Sequence, residues 1–484
     1  MFTDCRNWYN TPVILPPVSR SDHCCVLLVA CVNSKYQPTR VVRYRRCYDQ
    51  NSKTLFADEL RHVNWLPLYQ AQSCCVMVDM FYTVMLQLID YHFPVIESKQ
   101  LSNDKPWVND RFRQLIRTRQ SAFRSGNVPL YNKYRNKVQR LAKRLQKQFY
   151  ERKVQDLRTS NPRKWWSSVK KFLGSNRNID LKHLSLHENI EDLNLADEIN
   201  NFFANVAAGL QPLQSRSDFN LNDDYISDYV ISLEEVERQL ACVQVNKAPG
   251  PDGIPNWILR DMAPFISGPL CAIFNASVRE GFVPPVWKQA NTIPAPKVNP
   301  PKSLQSDLRP ISLTPTLSKL LESFVGKWIL NIIETTIDRR QFGALKGRST
   351  THALVSLLHS WSTVLDRGGS VRAVFVDYQK AFDRVDHNIV LHKLVQRNVP
   401  HFIIKWMFSF LEGRQQRVKI NDRFSNWTQL FGGMIQGSWL GPLIFLLLID
   451  DLQLDCLVHK FVDDTTLSEL LSSGDHESHM KKYV

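Results

Sequence analysis

The pair Asp463 and Asp464 constrains the fold of this chain more than any other feature. Two apolar residues, Phe461 and Val462, precede the pair, and an apolar run at 443–449 lies just upstream. Alternate side chains on a strand point to opposite faces, so neighbouring carboxylates at a hairpin tip cannot both face a core. We therefore expect one of them to face an open site and the other to face solvent.

A second carboxylate at a strand end stands upstream. Asp377 follows an apolar strand predicted over 373–376. Two such carboxylates, if they converge, hold two Mg²⁺ ions that clamp an in-line phosphoryl displacement. Magnesium prefers a few carboxylates, waters and phosphate oxygens to a cage made by protein alone. The sparse aspartates therefore predict a polymerase-like site for two Mg²⁺ ions, with Mn²⁺ as the alternative metal.

Positive charge is concentrated in one part of the chain. The 484 residues carry a formal net charge of +15. Between Lys105 and Lys171 there are 20 Lys and Arg residues against three Asp and Glu residues, so the remainder is close to neutral. Concentrated positive charge is typical of a phosphate-binding surface. The alternative is a solvated helix face, although such faces usually mix both signs.

Cysteine spacing and apolar runs bear on the cellular location. The ten cysteines show no CxxC spacing, which indicates neither a zinc site nor a disulfide framework. No apolar signal segment is found in residues 1–10. The apolar stretch 74–96 contains Asp79 and Asp90, and 440–449 is shorter than the roughly 20 residues of a membrane span. We therefore expect an intracellular protein, in the nucleus or cytoplasm, without a membrane partner and not secreted.

Apolar periodicity predicts a packed helix in the segment that otherwise gives no functional signal. The helix is expected over 74–93, with Val76, Met80, Val84 and Leu88 on one face. Packing against a neighbour is the expected role of that face.

Further along, two helix signals are clear. Residues 131–157 contain neither Gly nor Pro and predict a long cationic helix with an apolar stripe. Ser232 and Glu235 form a capping box that predicts a helix as far as Val243. The catalytic domain is expected to begin there.

Paired tryptophans follow the cationic helix. Trp165 and Trp166 lie directly after Arg163 and Lys164. Tryptophans among cations stack on bases between phosphate contacts in single-strand binding proteins. Buried anchor residues give the same pattern, and both interpretations stay open.

Six motifs occur in a fixed order in the second half of the chain. They are NKAPGPDGIP at 246–255, IPAPK at 293–297, DLRPISL at 307–313, FVDYQKAFD at 375–383, GGMIQGSWLGPL at 432–443 and FVDD at 461–464. In this order the motifs resemble those of the reverse transcriptases of LINE-type (non-LTR) retrotransposons. The resemblance implies an α+β fold of right-hand polymerase type, with fingers and an antiparallel palm sheet backed by helices. A basic helical region would precede it, and the thumb would be missing.

The resemblance also assigns site residues. It implies that Asp377, Asp463 and Asp464 are the catalytic, metal-holding carboxylates. An RNA template, a DNA primer or target and deoxynucleoside triphosphates would be the partners; protein partners are not indicated.

Five residues would bind the incoming nucleotide by the same resemblance. Lys297 and Arg309 would grip the triphosphate, since an Arg holds phosphate oxygens bidentately. Phe382 would exclude a ribose 2′-OH by its bulk. Gln436 and Gly437 would let the backbone approach the base pair.

The stretch 341–351 precedes a helix with Ser and Thr caps. Backbone amides at a helix start, with Lys346 and Arg348 beside them, make a phosphate site. In the family this stretch lies against the template or primer strand.

Asp22 and His23 stand before an apolar strand predicted over 24–32. A loop histidine is the ordinary interpretation of such a run. In context the two residues resemble the last catalytic motif of the apurinic-type endonuclease that precedes the polymerase in LINE-type elements. The earlier metal ligands of such an enzyme are missing, so nuclease activity is not expected.

Three residues depart from the family pattern, namely Ile435, Trp439 and Val462. Trp439 is expected to add bulk beside the nascent base pair.

Six segments are predicted: an endonuclease remnant (1–34), an uncharacterised linker (35–104), a basic nucleic-acid-binding linker (105–173), a polar linker (174–231), incomplete fingers and palm (232–470) and a tail (471–484).

The expected function is RNA-directed DNA polymerisation by two-metal transfer to a primer 3′-OH. Two alternatives remain from other classes. One is an inactive retroelement remnant that binds nucleic acid through its basic block, and the other is a domesticated scaffold, since a fold does not establish activity.

Overall fold

A computed structural model of the chain describes residues 11–15, 25–27, 40–101, 105, 107–158, 181–188, 190–191, 193–219, 221, 228–298, 300–421, 423–474 and 477–482. The chain divides into two compact units. The first unit comprises 1–47 and 94–176, and the second comprises 48–93 and 177–484.

The secondary structure mixes helices with mainly antiparallel strands, as expected for the α+β class. The strands are β1 (Val13–Leu15), β2 (Cys25–Leu27), β3 (Arg40–Arg46), β4 (Val95–Leu101), β5 (Gln289–Pro296), β6 (Leu308–Leu313), β7 (Ser370–Val376), β8 (Gln415–Ile420), β9 (Arg423–Phe424), β10 (Thr428–Gln429), β11 (Leu457–Phe461) and β12 (Asp464–Leu471). The helices are α1 (Gln50–Arg61), α2 (Leu66–Tyr69), α3 (Cys74–His92), α4 (Asp110–Arg124), α5 (Val128–Arg158), α6 (Lys182–His187), α7 (Leu195–Asn205), α8 (Leu233–Ala241), α9 (Asn256–Asp261), α10 (Ala263–Glu280), α11 (Leu304–Asp307), α12 (Thr316–Ile333), α13 (Thr350–Leu365), α14 (His387–Gln396), α15 (His401–Leu411) and α16 (Gly441–Ile449).

The first unit contains two antiparallel strand pairs, β1 with β2 and β3 with β4, and a helical hairpin. In the hairpin, α4 packs against α5. Asn109 caps α4, because its side-chain oxygen accepts a hydrogen bond of 2.9 Å from the amide of Phe112. Phe112, Ala122 and Val138 are buried between the helices. The predicted long cationic helix is confirmed as α5.

The second unit contains two sheets that position the site. One is three-stranded and antiparallel, in the order β11-β12-β7. The other has the order β10-β8-β5-β6, with β9 paired to β8. In that sheet β5 runs parallel to β8 and antiparallel to β6. Helices α1–α3, α8–α10, α12 and α14–α16 contribute to one large apolar core.

Helix α3 exists as predicted, but only part of its predicted face is covered: Leu88 is buried and Val84 is partly buried. Val76 and Met80 are 43% and 37% exposed. The buried residues are Cys74, Met77, Val78, Phe81, Tyr82, Met85, Leu88 and Ile89. The polar residues Asp79, Thr83, Gln87 and Asp90 follow one another at helical spacing and are exposed, and Val76 and Met80 lie beside them. The opposite face packs against α1, α2 and α10.

Among the described residues, α3 is the one helix long and apolar enough to cross a membrane, judged by length and composition. Its two acidic residues therefore do not by themselves exclude a span. Core helices of globular domains pass the same test, and eight residues of α3 are buried against neighbouring helices.

The structure divides the predicted linkers differently. Residues 48–93 and those from 177 onward pack with the second unit. Phe56, Phe81 and Phe93 are fully buried in its core, because the apolar faces of α1 and α3 are covered there. "Linker" is thus the wrong description of 48–93. The N-cap at Ser232 is confirmed: its hydroxyl accepts a hydrogen bond of 3.2 Å from the Glu235 amide at the start of α8.

Candidate active site

The turn between β11 and β12 brings distant carboxylates together. Strand β12 pairs with β11 on one side and with β7 on the other, and Thr465 lies opposite Val376. Asp377 follows β7 directly, so it lies at the same end of the sheet as Asp463 and Asp464. Antiparallel pairing of adjacent strands thus places a strand end beside a hairpin tip.

An open cavity of about 830 Å³ lies at this end of the sheet. Its lining includes seven predicted site residues: Lys297, Arg309, Asp377, Phe382, Gln436, Gly437 and Asp463. Asp464 is not among the lining residues; it is exposed at the start of β12. One aspartate of the pair therefore faces the cavity and the other does not.

The hairpin β5–β6 carries the two cations. The amide of Lys297 donates a hydrogen bond of 2.7 Å to the carbonyl of Asp307, and Arg309 lies opposite Ala295. The Asp307 carboxylate accepts from the amide of Lys302 at 2.9 Å. This bond, with others from the same loop, lowers the pKa of Asp307. An ionised carboxylate therefore closes the loop between the two cations.

Phe382 begins a short 3-10 turn over the cavity. Its ring centroid lies 5.2 Å from that of Phe445 on α16. Its carbonyl accepts a hydrogen bond of 2.7 Å from the amide of Met434. The Gln436 side-chain amide donates a hydrogen bond of 3.0 Å to the carboxylate of Asp383. Burial raises the pKa of Asp383, while the bond from Gln436 opposes that shift. The turn and the 434–436 segment are thus fixed to each other.

Gly437 occupies a position that only glycine fits. Its φ is +140°, and a Cβ would lie 2.3 Å from the carbonyl oxygen of Ser312. The amide of Ser312 in turn donates a hydrogen bond of 2.9 Å to the carbonyl of Gln436. Close approach of β6 therefore requires the missing side chain.

Glu322 on α12 is a site-supporting residue that sequence reasoning missed. Its side chain is fully buried. One carboxylate oxygen accepts from the Ser438 hydroxyl at 2.5 Å and from the Trp439 amide at 2.8 Å. The other accepts from the Ser318 hydroxyl at 3.0 Å. Glu322 therefore holds the segment that follows Gly437.

Trp439 lies against α12. A Cβ on Gly326 would lie 2.1 Å from the Trp439 ring, and Trp439 does not line the cavity. Trp439 thus packs on α12, and the expectation that it adds bulk beside a base pair stays a prediction. Gly326 accommodates the ring.

Helix α7 contributes another part of the site that the sequence did not indicate. Phe202, Phe203 and Val206 line the cavity. The ammonium of Lys380 lies 4.3 Å from the centre of the Phe202 ring, which is the geometry of a cation–π contact. The sequence of this helix gives no indication of the element that it packs against.

Lys346 and Arg348 lie away from the cavity lining. Lys346 is exposed. The Arg348 guanidinium donates to the carbonyls of Arg339 at 3.0 Å and Asp338 at 3.3 Å, and also to that of Gln341. Arg348 thus has a structural contact, and its contact with nucleic acid stays a prediction.

Six other predicted residues lie outside the described part of the chain. They are Asp22, His23, Arg163, Lys164, Trp165 and Trp166.

Strand-end carboxylates beside two cations in one cavity are typical of sites that transfer phosphoryl groups. Residues 295–483 match the family model of the reverse transcriptase (RNA-dependent DNA polymerase). This part of the chain is thus a reverse transcriptase domain, and the resemblance drawn from its motifs is confirmed at that level.

Among the relatives is the probable RNA-directed DNA polymerase from transposon BS of Drosophila melanogaster, 31% identical over 224 residues (46% of this chain, 25% of that protein). The corresponding protein from transposon X-element of the same species is 32% identical over 220 residues (45% and 24%). The RNA-directed DNA polymerase from mobile element jockey, also of that species, is 29% identical over 249 residues (49% and 27%). The chain thus spans about a quarter of the length of these relatives.

Proposed function

We propose that this chain acts as the RNA-directed DNA polymerase of a non-LTR retrotransposon, extending a DNA primer on an RNA template with deoxynucleoside triphosphates. The main support is the shared cavity of Asp377, Asp463, Lys297 and Arg309. These residues come from two sheets and three distant parts of the sequence, yet they surround one open space.

In this proposal the sheet β11-β12-β7 is the palm and the hairpin β5–β6 belongs to the fingers. The palm would present the carboxylates and the fingers the cations. The antiparallel pairing of the three palm strands and the position of the hairpin at the cavity support this assignment.

The residues fit the divalent metal that the family uses. Asp377 and Asp463 supply only oxygen donors to the cavity. No cluster of three His, Cys, Asp or Glu side chains able to hold a metal occurs within the described ranges. Two carboxylates suit Mg²⁺, because this ion takes its remaining ligands from water and substrate phosphates. When bound, two ions would activate the primer 3′-OH and stabilise the leaving pyrophosphate.

The other cavity residues have roles in holding the nucleotide. Lys297 and Arg309 balance the negative charge of the triphosphate, and this electrostatic stabilisation supplies much of the catalysis in phosphoryl transfer. Phe382, fixed against Phe445, presents a rigid ring that excludes a 2′-OH. The backbone at Gly437 approaches the base pair because no side chain intervenes.

Nuclear or cytoplasmic location is part of the proposal, since an RNA template and a DNA target must both be reached. Asp464 is proposed as a weaker contributor than Asp463, because it lies off the cavity.

Primer extension on an RNA template, with deoxynucleoside triphosphates and Mg²⁺, tests the proposal directly. Full chain carrying Asp463→Ala is the control. Extension by the unaltered chain that the substitution abolishes would support the polymerase. Nucleic-acid binding without extension would favour the inactive remnant instead, and the absence of both would favour the interaction scaffold.

A further inference from the structure

Helix α5 carries a straight row of cations on one face. Lys133, Lys137, Arg140, Arg144 and Lys147 follow one another at the spacings of a single helix face. All five are exposed. At 1.5 Å per residue the row is about 21 Å long. We call these five residues the cationic row.

The exposed positions around the row are mostly neutral. Asn132, Asn136, Gln139, Gln146 and Gln148 are exposed amides on the same helix. A face whose only role is solubility usually mixes acids with bases.

One acidic residue adjoins the row, at its end. The Glu151 carboxylate lies 3.7 Å from the Lys147 ammonium, and both side chains are more than half exposed. An exposed pair of this kind contributes little to stability and leaves the cation accessible to a stronger anionic ligand. Unlike charge is thus scarce along the row.

The apolar side of α5 faces α4: Val138 is buried there, and Leu141, Leu145 and Phe149 are half-buried. Tyr131 packs on Phe123 of α4, with ring centroids 5.4 Å apart. The Tyr134 ring lies beside the row, 5.5 Å from the Lys137 ammonium, but it is half-buried and does not stand free for stacking. An apolar face for lipid and rings for stacking on unpaired bases are therefore both missing from the row.

We propose that the cationic row binds the phosphate backbone of a nucleic-acid duplex without reading its sequence. One strand of a duplex presents a phosphate about every 3.4 Å, so the row spans about six phosphates. This inference goes beyond the polymerase function, because the row lies in the first unit and its binding needs neither metal nor nucleotide. A chain without polymerase activity should bind equally well.

Binding is measured by fluorescence anisotropy with the full chain carrying Asp463→Ala, so that no extension occurs. The probes are a labelled DNA duplex, an RNA–DNA hybrid of the same sequence, the single strand, and vesicles of anionic phospholipid. Salt is varied from about 50 to 200 mM, because each phosphate contact adds about 0.9 to the slope of log affinity against log salt.

The row variant replaces all five cations by Gln, which keeps good helix propensity. The matched control replaces five exposed cations off the row, again by Gln, so both variants lose the same charge. These are Lys105, Arg111, Arg117, Arg124 and Arg135. We expect the row variant to lower the slope by about 4 and duplex affinity at 100 mM salt at least tenfold, and the control to change both far less.

A single substitution gives an independent test in the opposite direction. Glu151→Gln removes the acidic residue beside Lys147 and should strengthen duplex binding about two- to threefold at low salt. Circular dichroism verifies that each variant keeps its helices. Similar affinity for DNA duplex and hybrid would support a backbone contact, and a clear preference for either would identify the source of the duplex.

Three results would overturn the inference. One is an equal loss of duplex affinity in the row variant and the control, which would mean that only the total charge determines binding. Tighter binding of the single strand than of either duplex is another. The last is binding to anionic vesicles that the row variant loses as strongly as duplex binding.

Discussion

Asp377 and Asp463 differ from Glu322 and Asp252 in what surrounds their carboxylates. Within the described chain, no hydrogen bond or ion pair is found to the carboxylates of Asp377 and Asp463, which line an open cavity. Glu322 is fully buried and accepts several hydrogen bonds, and buried Asp252 accepts one of 3.1 Å from Tyr82. Internal donors thus fix the buried acids as structural groups. The cavity acids keep their lone pairs for an external ligand.

The largest effect is expected at the cavity. Asp463→Asn should reduce primer extension by more than about a hundredfold, because a neutral amide is a poor ligand for Mg²⁺. The folded state should be unaffected, since the carboxylate makes no internal contact. Asp464→Asn should reduce primer extension less, and Asp455→Asn, at an exposed position, should not reduce it. Equal losses at 463 and 464 in steady-state extension would contradict the distinction drawn from the cavity lining.

Glu322→Ala should affect both stability and turnover. It leaves the Ser438 hydroxyl and the Trp439 amide without their buried acceptor, which costs about 2–4 kcal/mol of unfolding free energy. Extension should fall about tenfold in kcat with little change in the KM for nucleotide, because the 436–439 segment loses its support.

Glu322→Gln keeps one acceptor and should restore part of the turnover. The control is Glu334→Ala, an exposed acid just beyond the same helix. A positioning role for Glu322 would be contradicted if the Ala and Gln variants extended equally well at matched stability.

Asp252 should make the stability of the second unit depend on pH. Burial raises the pKa of Asp252 from 3.8 to about 6, with the bond from Tyr82 partly opposing the shift. A raised pKa means that the stabilising contribution is fully present below about pH 4 and is lost as pH rises through about 6. The loss amounts to at most about 3 kcal/mol.

Urea unfolding between pH 4 and pH 8 tests this directly. Asp252→Asn should flatten the profile in that window, because the amide does not titrate. Parallel profiles for the two proteins would show that Asp252 is already solvated in the native state.

Tyr82→Phe should give the smallest effect. It removes the hydroxyl that donates to Asp252 and accepts 3.0 Å from the Trp287 indole. The expected cost is about 1–2 kcal/mol of unfolding free energy at neutral pH. The loss should shrink on acidification, because protonated Asp252 needs its donor less. A loss independent of pH would indicate packing alone.

Local signals in the sequence predicted local structure well. The capping box at Ser232 marks the start of α8, and the absence of Gly and Pro marks most of α5. The motifs located seven cavity residues, because each motif combines a strand end or turn with its chemistry in a short string. The α+β class followed from the same strings.

Long-range contacts were not accessible in the same way. Glu322 has the sequence of an ordinary helix residue, and its role arises from a segment more than a hundred positions away. The position of Phe202 over Lys380 likewise depends on which elements pack together. Residue spacing within one element contains no information about its partner.

Gln341 connects two turns through one atom. Its side-chain oxygen accepts a hydrogen bond of 2.9 Å from the amide of Gly343 and one of 3.1 Å from the amide of Val462. Val462 has a φ of +60°, a conformation that a β-branched residue adopts only when its surroundings impose it. The loop that presents Lys346 and the hairpin that presents Asp463 are therefore mechanically coupled. A displacement of that loop would be transmitted to the carboxylate through this amide group and through the backbone hydrogen bonds that join Arg340 and Phe342 to Lys460.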